Sequence, residues 1–453
     1  MSLLWLIVIP PLAGVLVYPV RKLRWVPGIL SAAAIVATGL IAVRLPDSQT
    51  MFVMGRPLVF QPLARHLFVL IYGTFALLLL HEGAAASRPL FCPLALMIAG
   101  VLSAAVLVRH VALSAVFIEL AAVLISLLIP DEHPASARSA MRYLVIATLA
   151  MLPLLLAPWA AEIFELNPGD TALPEFILVT IITGFTILLG AIPFHAWLPP
   201  IAQHASPAVT AILVGPANLV IWYRLLEALN QYPWIAGDPR LGSLLTGLGM
   251  CTTIGGAVLA LSQRDLSHLM GYVALSDLGM ILLATASAME AEPQAVLYHW
   301  MVRGLAFALM AMCISTLRRS LGSTDIGRLR SAARRFPATT MGLLASGLSL
   351  AGLPLTGGFP ARWIMVQSMI RASLPQALAL LGSSAAVGWV YLRLLSEMLA
   401  PPSEPYGARE PRLTSLLIAL TTLLLLTTAW YSRPVLDVLP DLWQSLLPLT
   451  PGA

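Results

Sequence analysis

Apolar runs of about 20 residues recur along the whole chain, the length an α-helix needs to cross a hydrocarbon core roughly 30 Å thick. They fall at 2–20, 26–46, 62–81, 89–108, 110–130, 139–160, 172–198, 205–231, 241–262, 267–288, 293–317, 338–358, 361–399 and 413–431. The pattern predicts an all-α polytopic membrane protein of about 14 transmembrane helices, some tilted or broken. A transmembrane β-barrel is excluded, because its signal is short alternating segments. Composition agrees: 59% of the 453 residues are hydrophobic and 10% are charged, against roughly 25% charged in soluble domains. Mean hydropathy is +0.87.

The connections between the runs orient the chain. Arg21, Lys22 and Arg24 follow the first run directly, so the positive-inside rule puts that loop in the cytoplasm and the N-terminus outside. The first run has no basic start and no small-residue cleavage site, so it reads as a retained helix rather than a signal peptide. Later inside loops carry Arg138 and Arg142, then Arg264, then Arg318, Arg319, Arg328, Arg330, Arg334 and Arg335, then Arg409 and Arg412. Outside loops are acidic or weakly charged, as at 162–165 and 290–292. The alternation places both termini outside a bacterial or archaeal cytoplasmic (inner) membrane. The net charge of +5 reflects loops facing anionic lipid rather than nucleic acid. Lys22 is the only lysine, so arginine supplies every other basic side chain. Cys92, Cys251 and Cys313 lie in apolar runs without metal-ligand spacing and read as small packing residues. The tail at 434–453, with Leu439, Trp443 and Leu446 at helical spacing, reads either as a surface helix or as a short ordered tail. Nothing in it has the length of a long lateral helix.

Two spans are interrupted. The stretch Gly190-Ala191-Ile192-Pro193-Phe194-His195-Ala196-Trp197-Leu198-Pro199 is broken at Pro193 and read as stopped by Pro199 and Pro200. A second break is centred on Pro354, between Gly352 and Gly357-Gly358. After the first, the chain reads Trp222-Tyr223-Arg224-Leu225-Leu226-Glu227; after the second, Trp389-Val390-Tyr391-Leu392-Arg393-Leu394-Leu395. About five helices separate the copies, an odd number, so they point in opposite directions as an inverted-topology repeat. The expected division is an N-terminal three-helix segment at 1–85, a first repeat at 86–235, a second inverted repeat at 236–400, and a last helix with tail at 401–453.

Pro193-Phe194-His195-Ala196-Trp197-Leu198-Pro199 followed by Ser206-Pro207-Ala208-Val209-Thr210-Ala211 resembles the signature of the antiporter-like proton-channel subunits. These are shared by respiratory complex I, Mrp-type cation antiporters and group 4 membrane-bound hydrogenases. Asp265-Leu266-Ser267-His268 running on to Ser276-Asp277-Leu278-Gly279 is similar to a second family motif. Thr324-Asp325-Ile326 and Ser349-Leu350-Ala351-Gly352-Leu353-Pro354 with Gly358-Phe359 complete the match, over roughly residues 60–400. The resemblance implies fourteen helices with two inverted five-helix repeats, and a proton route through two half-channels joined by buried ionisable side chains.

The resemblance places Glu119 at the family's fifth-helix glutamate; it is read either as a functional carboxylate or as a neutral group tying helices together. The family's seventh-helix lysine corresponds to Leu188, its eighth-helix histidine or lysine to Val214, and its eleventh-helix lysine to Phe307. All three are apolar, so the ordinary first half-channel is expected to be broken. His195, beside the break, and His299, one turn from Arg303, are candidate replacements; a histidine titrates near neutrality when solvated. For His195 the alternative is a structural part of the helix-break motif with Pro193 and Trp197. Asp277 is expected to pair with Arg303 or His268, either within the path or as a buried tie. Arg362 aligns with the family's charged exit position, where arginine keeps a permanent charge and suits a gate or anchor. Arg224 and Arg393 are expected to snorkel to an interface.

The sequence therefore predicts a proton- or ion-translocating antiporter-like membrane subunit of a complex I-like or hydrogenase-like redox complex, with a degenerate proton path. Two alternatives stand beside it: a non-conducting structural subunit, and the membrane subunit of an inorganic-carbon uptake system. No catalytic, cofactor-binding or metal motif is present in the sequence. Flavin, iron-sulfur or metal centres are expected only in partner subunits, both membrane and peripheral, of an oxidoreductase of NADH-quinone or hydrogenase type.

Overall fold

A computed structural model describes residues 2–53, 55–85, 88–130, 134–167, 172–288, 293–401, 410–433, 435–437 and 439. The acidic connection at 290–292, Arg409, Trp443 and Leu446 lie outside them. The chain begins with α1 (Ser2–Val17) and α2 (Val26–Arg44), then an antiparallel hairpin, β1 (Gln49–Val53) with β2 (Arg56–Phe60), pairing Gln49 with Phe60 and Val53 with Arg56. There follow α3 (Pro62–Ala85), α4 (Phe91–Leu107), α5 (Val111–Leu128), α6 (Pro134–Leu166), α7 (Ala172–Leu189), α8 (Leu198–His204), α9 (Pro207–Ile212), α10 (Asn218–Gln231) and α11 (Pro233–Ala236). The remainder is α12 (Pro239–Leu261), α13 (Leu266–Ala288), α14 (Pro293–Leu321), α15 (Ala332–Arg335), α16 (Pro337–Ala351), α17 (Phe359–Ala372), α18 (Leu374–Leu399) and α19 (Arg412–Trp430). Among the described residues, eleven helical stretches are long and apolar enough to cross a membrane. The protein is an all-α polytopic membrane protein, and the β1–β2 hairpin is the one sheet among the described residues.

Every expected span is helical, with one correction. The run 361–399 is two helices, α17 and α18, parted at Ser373, whose backbone is extended at φ −159° and ψ 104°. Pro375 sits in the first turn of α18, where its missing N–H costs nothing. A single helix over that run would reach about 58 Å, nearly twice the hydrocarbon thickness.

The chain folds into two compact units. One takes in Met1–Gly190 and Pro216–Leu241; the other takes in Ala191–Gly215 and Gly242–Pro440. In the first, α2 packs on α3, α1 on α4, and α6 on α7. The Tyr72 hydroxyl meets Ser103 Oγ at 2.7 Å and donates to the Leu6 carbonyl at 3.2 Å, tying α1, α3 and α4 together where lipid offers no hydrogen bonds. In the second unit α14 is the central helix, buried along nearly its whole length against α9, α13, α16, α17 and α19.

Both breaks begin with a left-handed glycine: Gly190 at φ 73° after α7, and Gly352 at φ 67° after α16. Only glycine enters that region without a Cβ penalty. Pro193 and Pro354 then prevent the ladder from resuming at once. After Pro193 the chain makes a 3-10 turn, Phe194–Trp197, before α8. Pro199 and Pro200 do not stop a helix, contrary to expectation. They lie in the first turn of α8, where the N–H groups lack intrahelical partners in any case.

Two sequence motifs meet in the second unit. Asp265 Oδ1 accepts from the N–H groups of Ser267 and His268 at 2.9 and 3.0 Å, capping α13. Its Oδ2 accepts from Thr324 Oγ1 at 2.5 Å, while Leu266 N–H donates to the Thr324 carbonyl at 2.9 Å. The start of α13 is thus pinned to the segment after α14.

Candidate functional site

The second unit holds four charged or titratable side chains in one buried group. Asp277 is carried by α13, His299 and Arg303 by α14, and Arg362 by the first turn of α17. The register of α13 on α12 is set next to Asp277. Thr253 Oγ1 donates to the Ser276 carbonyl at 2.9 Å, and Ser276 Oγ donates to the Thr253 carbonyl at 3.0 Å. The helices approach closely there because a Cβ on Gly279 would strike the Thr253 backbone.

Asp277 is 3% exposed, and both of its oxygens are engaged. Oδ2 accepts from Arg303 Nη1, and Oδ1 lies 2.8 Å from His299 Nε2. Arg362 Nη2 is 3.7 Å from Oδ1. Arg362 is held at that distance by two other acceptors, Ser384 Oγ and the Leu350 carbonyl, each at 2.6 Å. Burying four such groups is tolerable only because nearly every donor finds an acceptor.

Arg303 uses its remaining donors on backbone. Its Nε donates to the Val214 carbonyl at 3.0 Å, and Nη2 reaches the Ala274 carbonyl at 3.4 Å. The Val214 carbonyl is open to a side chain because the helix widens into a π turn at Leu213–Ala217, with Pro216 inside it and no N–H to give. The guanidinium also lies 4.9 Å from the Phe307 ring centroid and 5.3 Å from that of Trp300.

The other candidates are elsewhere. Glu119, on α5 in the first unit, is half-buried and accepts from Thr148 Oγ1 of α6 at 2.5 Å. Its other oxygen, Oε2, has no hydrogen-bond partner among the described residues. Leu188 is buried in that same unit. His195 is half-buried in the 3-10 turn after Pro193, with no partner for Nδ1 among the described residues, and Trp197 beside it is buried. Pro354 is exposed at the second break.

One alternative is decided and two expectations are corrected. Asp277 does not pair with His268, which lies nine residues back on the same helix, about 13 Å along its axis. Arg224 and Arg393 do not snorkel. Arg224 is 1% exposed, with Nη2 on the Arg109 carbonyl and Nε on Ser114 Oγ, each at 3.1 Å. Arg393 donates to the Leu261 and Gln263 carbonyls at 2.9 and 2.8 Å. Each arginine donates to carbonyls at or just past a helix end, of α4 and α12 respectively, where no further helical N–H follows to donate to them. Cys251 differs from Cys92 and Cys313 in facing outward from α12. Among the described residues no group of three or more His, Cys, Asp or Glu side chains is placed to share a metal ion.

Residues 109–387, more than half of the chain, match the family described as NADH:quinone oxidoreductase/Mrp antiporter, TM. The chain belongs to this family. NADH-quinone oxidoreductase subunit N of Cereibacter sphaeroides is 28% identical over 94% of this chain and 93% of its own length. Subunit N 1 of Roseiflexus castenholzii is 29% identical over 64% of this chain, and the match spans 56% of that protein. The fold is that of a chain in an archaeal membrane-bound sulfane sulfur reductase, with a TM-score of 0.87 at 18% identity over 99% of this chain and 98% of that one. As an antiporter-like membrane subunit of this family, the chain has apolar residues, Leu188, Val214 and Phe307, at three positions to which the resemblance assigns a lysine or histidine in the family. Two of them serve Arg303 instead, Val214 through its carbonyl and Phe307 through its ring. Sequence reasoning missed Val214, Leu350 and Ser384 as contributors. The adjacent Gly215-Pro216 in mid-span was the available signal for Val214; nothing local marked the other two.

Proposed function

We propose that this chain is the proton-handling membrane subunit of a complex I-like or hydrogenase-like redox assembly, with its titratable element in the second unit. The supporting observation is the 2.8 Å contact between His299 Nε2 and Asp277 Oδ1 in a fully buried group. Arginine keeps its proton, whereas histidine is the side-chain type that changes charge near neutral pH. His299 is therefore the member of the group suited to pass a proton. Sodium is a poor fit, because both Asp277 oxygens already face donors and cannot turn to a metal ion. Relatives in a NADH-quinone oxidoreductase and in a respiratory sulfane sulfur reductase support partner subunits that handle the electrons. The arginine distribution along the loops supports both termini lying on the outer face.

A second reading, a non-conducting structural subunit, is favoured by the buried apolar side chains at Leu188, Val214 and Phe307. Proton uptake into liposomes, driven by a potassium diffusion potential, separates the two. The proton-handling reading expects uptake by the native protein that is lost in His299→Gln. Loss in Glu119→Gln as well would place the route through both units. No uptake by any folded variant would leave the structural reading.

A further inference from the structure

The buried group around Asp277 is short of one negative charge. Arg303 and Arg362 are both buried, and Asp277 is the one carboxylate acting on either among the described residues. One carboxylate against two guanidinium groups leaves a net positive charge in a low-dielectric interior, where an uncompensated charge is costly.

The excess lies on the Arg362 side. Arg303 holds Asp277 directly, while Arg362 is held off by neutral acceptors, Ser384 and the Leu350 carbonyl. Arg362 Nε, on a side chain 6% exposed, has no hydrogen-bond partner among the described residues. It lies against Gly352, where a Cβ would collide with it, at the break between the end of α16 and the start of α17. Ser349 lines the same break: a Cβ on Gly358 would collide with the Ser349 carbonyl. The Ser349 hydroxyl is fully buried and also without a partner. The N-terminus of α17, a 14-residue helix with Pro360 in its first turn, opens at this point, adding the positive end of a helix dipole.

From this arrangement we infer an anion site at the second helix break, formed by Arg362 Nε, Ser349 Oγ and the start of α17. The occupant is a small monovalent anion of the chloride type. One excess positive charge calls for one negative charge, and a dianion would overcompensate. Water would satisfy the orphan donors but leave the charge. With the anion in place Arg362 is neutralised, and Asp277 is left to His299 and Arg303. The site does not depend on proton conduction, and its test involves no transport.

The test is equilibrium binding of radiolabelled chloride to the purified full-length protein in lipid nanodiscs, with gluconate holding the ionic strength constant. The expected result is saturable, stoichiometric binding, displaced by bromide and not by gluconate. Arg362→Gln is expected to weaken it by at least roughly thirtyfold, the cost of removing one partner of a buried charge pair. Should that variant not fold, Ser349→Ala, which removes one hydroxyl donor, is expected to weaken it by about fivefold. Absence of saturable binding by the native protein overturns the inference. Binding unchanged in the folded variants also overturns it, as an adventitious ion only.

Discussion

Asp277 in the second unit and Glu119 in the first are both carboxylates on membrane helices, and the two are treated in opposite ways. Asp277 is wholly buried, and each of its oxygens meets a charged or titratable donor on α14. Glu119 is half-buried at the surface of α5, has one hydroxyl for company, and keeps an oxygen without a donor. An ionised carboxylate away from water must be paired or given hydrogen bonds, and of these two it is Asp277 that finds both among the described residues. Asp277 is therefore bound into the packing of its unit, so that altering it alters the fold. Glu119 is loosely held, so that altering it reports on function with little structural cost.

The largest test of this contrast is Asp277→Leu, which leaves two buried guanidinium groups without a carboxylate. We expect a loss of about 3–5 kcal/mol, read as a collapse of the thermal unfolding midpoint or of folded yield in detergent. A loss as small as that of a surface substitution would break the comparison. Adding Arg303→Met should recover part of that loss, because the double variant buries no charge in place of the pair. A coupling energy of about 0.5–3 kcal/mol in the double-mutant cycle is expected, and simple additivity would mean the contact carries no weight. Gly352→Ala should cost about 1–3 kcal/mol, since alanine must take a left-handed φ of 67° and push against Arg362. Glu119→Gln should change stability by at most about 1 kcal/mol, measured in the same unfolding assay, because only one hydroxyl contact is altered. A larger effect would show that Glu119 is held more tightly than its exposure implies.

The apolar runs, the breaks at Pro193 and Pro354, and the meeting of Asp277 with Arg303 were all legible in the sequence. The runs have a length set by the bilayer, and the breaks have residues that cannot continue a helix. What misled the reading was the assumption that a residue's role follows from its side-chain chemistry. Val214 and Phe307 looked like losses because neither titrates, yet a carbonyl freed by a π turn and an aromatic face both stabilise a guanidinium. Arg224 and Arg393 looked like surface anchors because long cations near span ends usually are. Each instead found unpaired carbonyls across the helix packing.

By itself, the sequence determined that apolar helices recur along the chain and where the runs lie, the two interruptions and the family resemblance. Those follow from one-dimensional quantities: hydropathy over a span, the missing N–H of proline, and the order of motifs along the chain. Only the tertiary structure decided that Ala191–Gly215 packs with the second unit, and that Arg362 rests on Ser384 and Leu350 rather than on Asp277. It also decided that Glu119 is left half-exposed. Those outcomes depend on which helix faces are apposed, and apolar residues all around a membrane helix leave that choice to packing and to the few polar groups that must find partners.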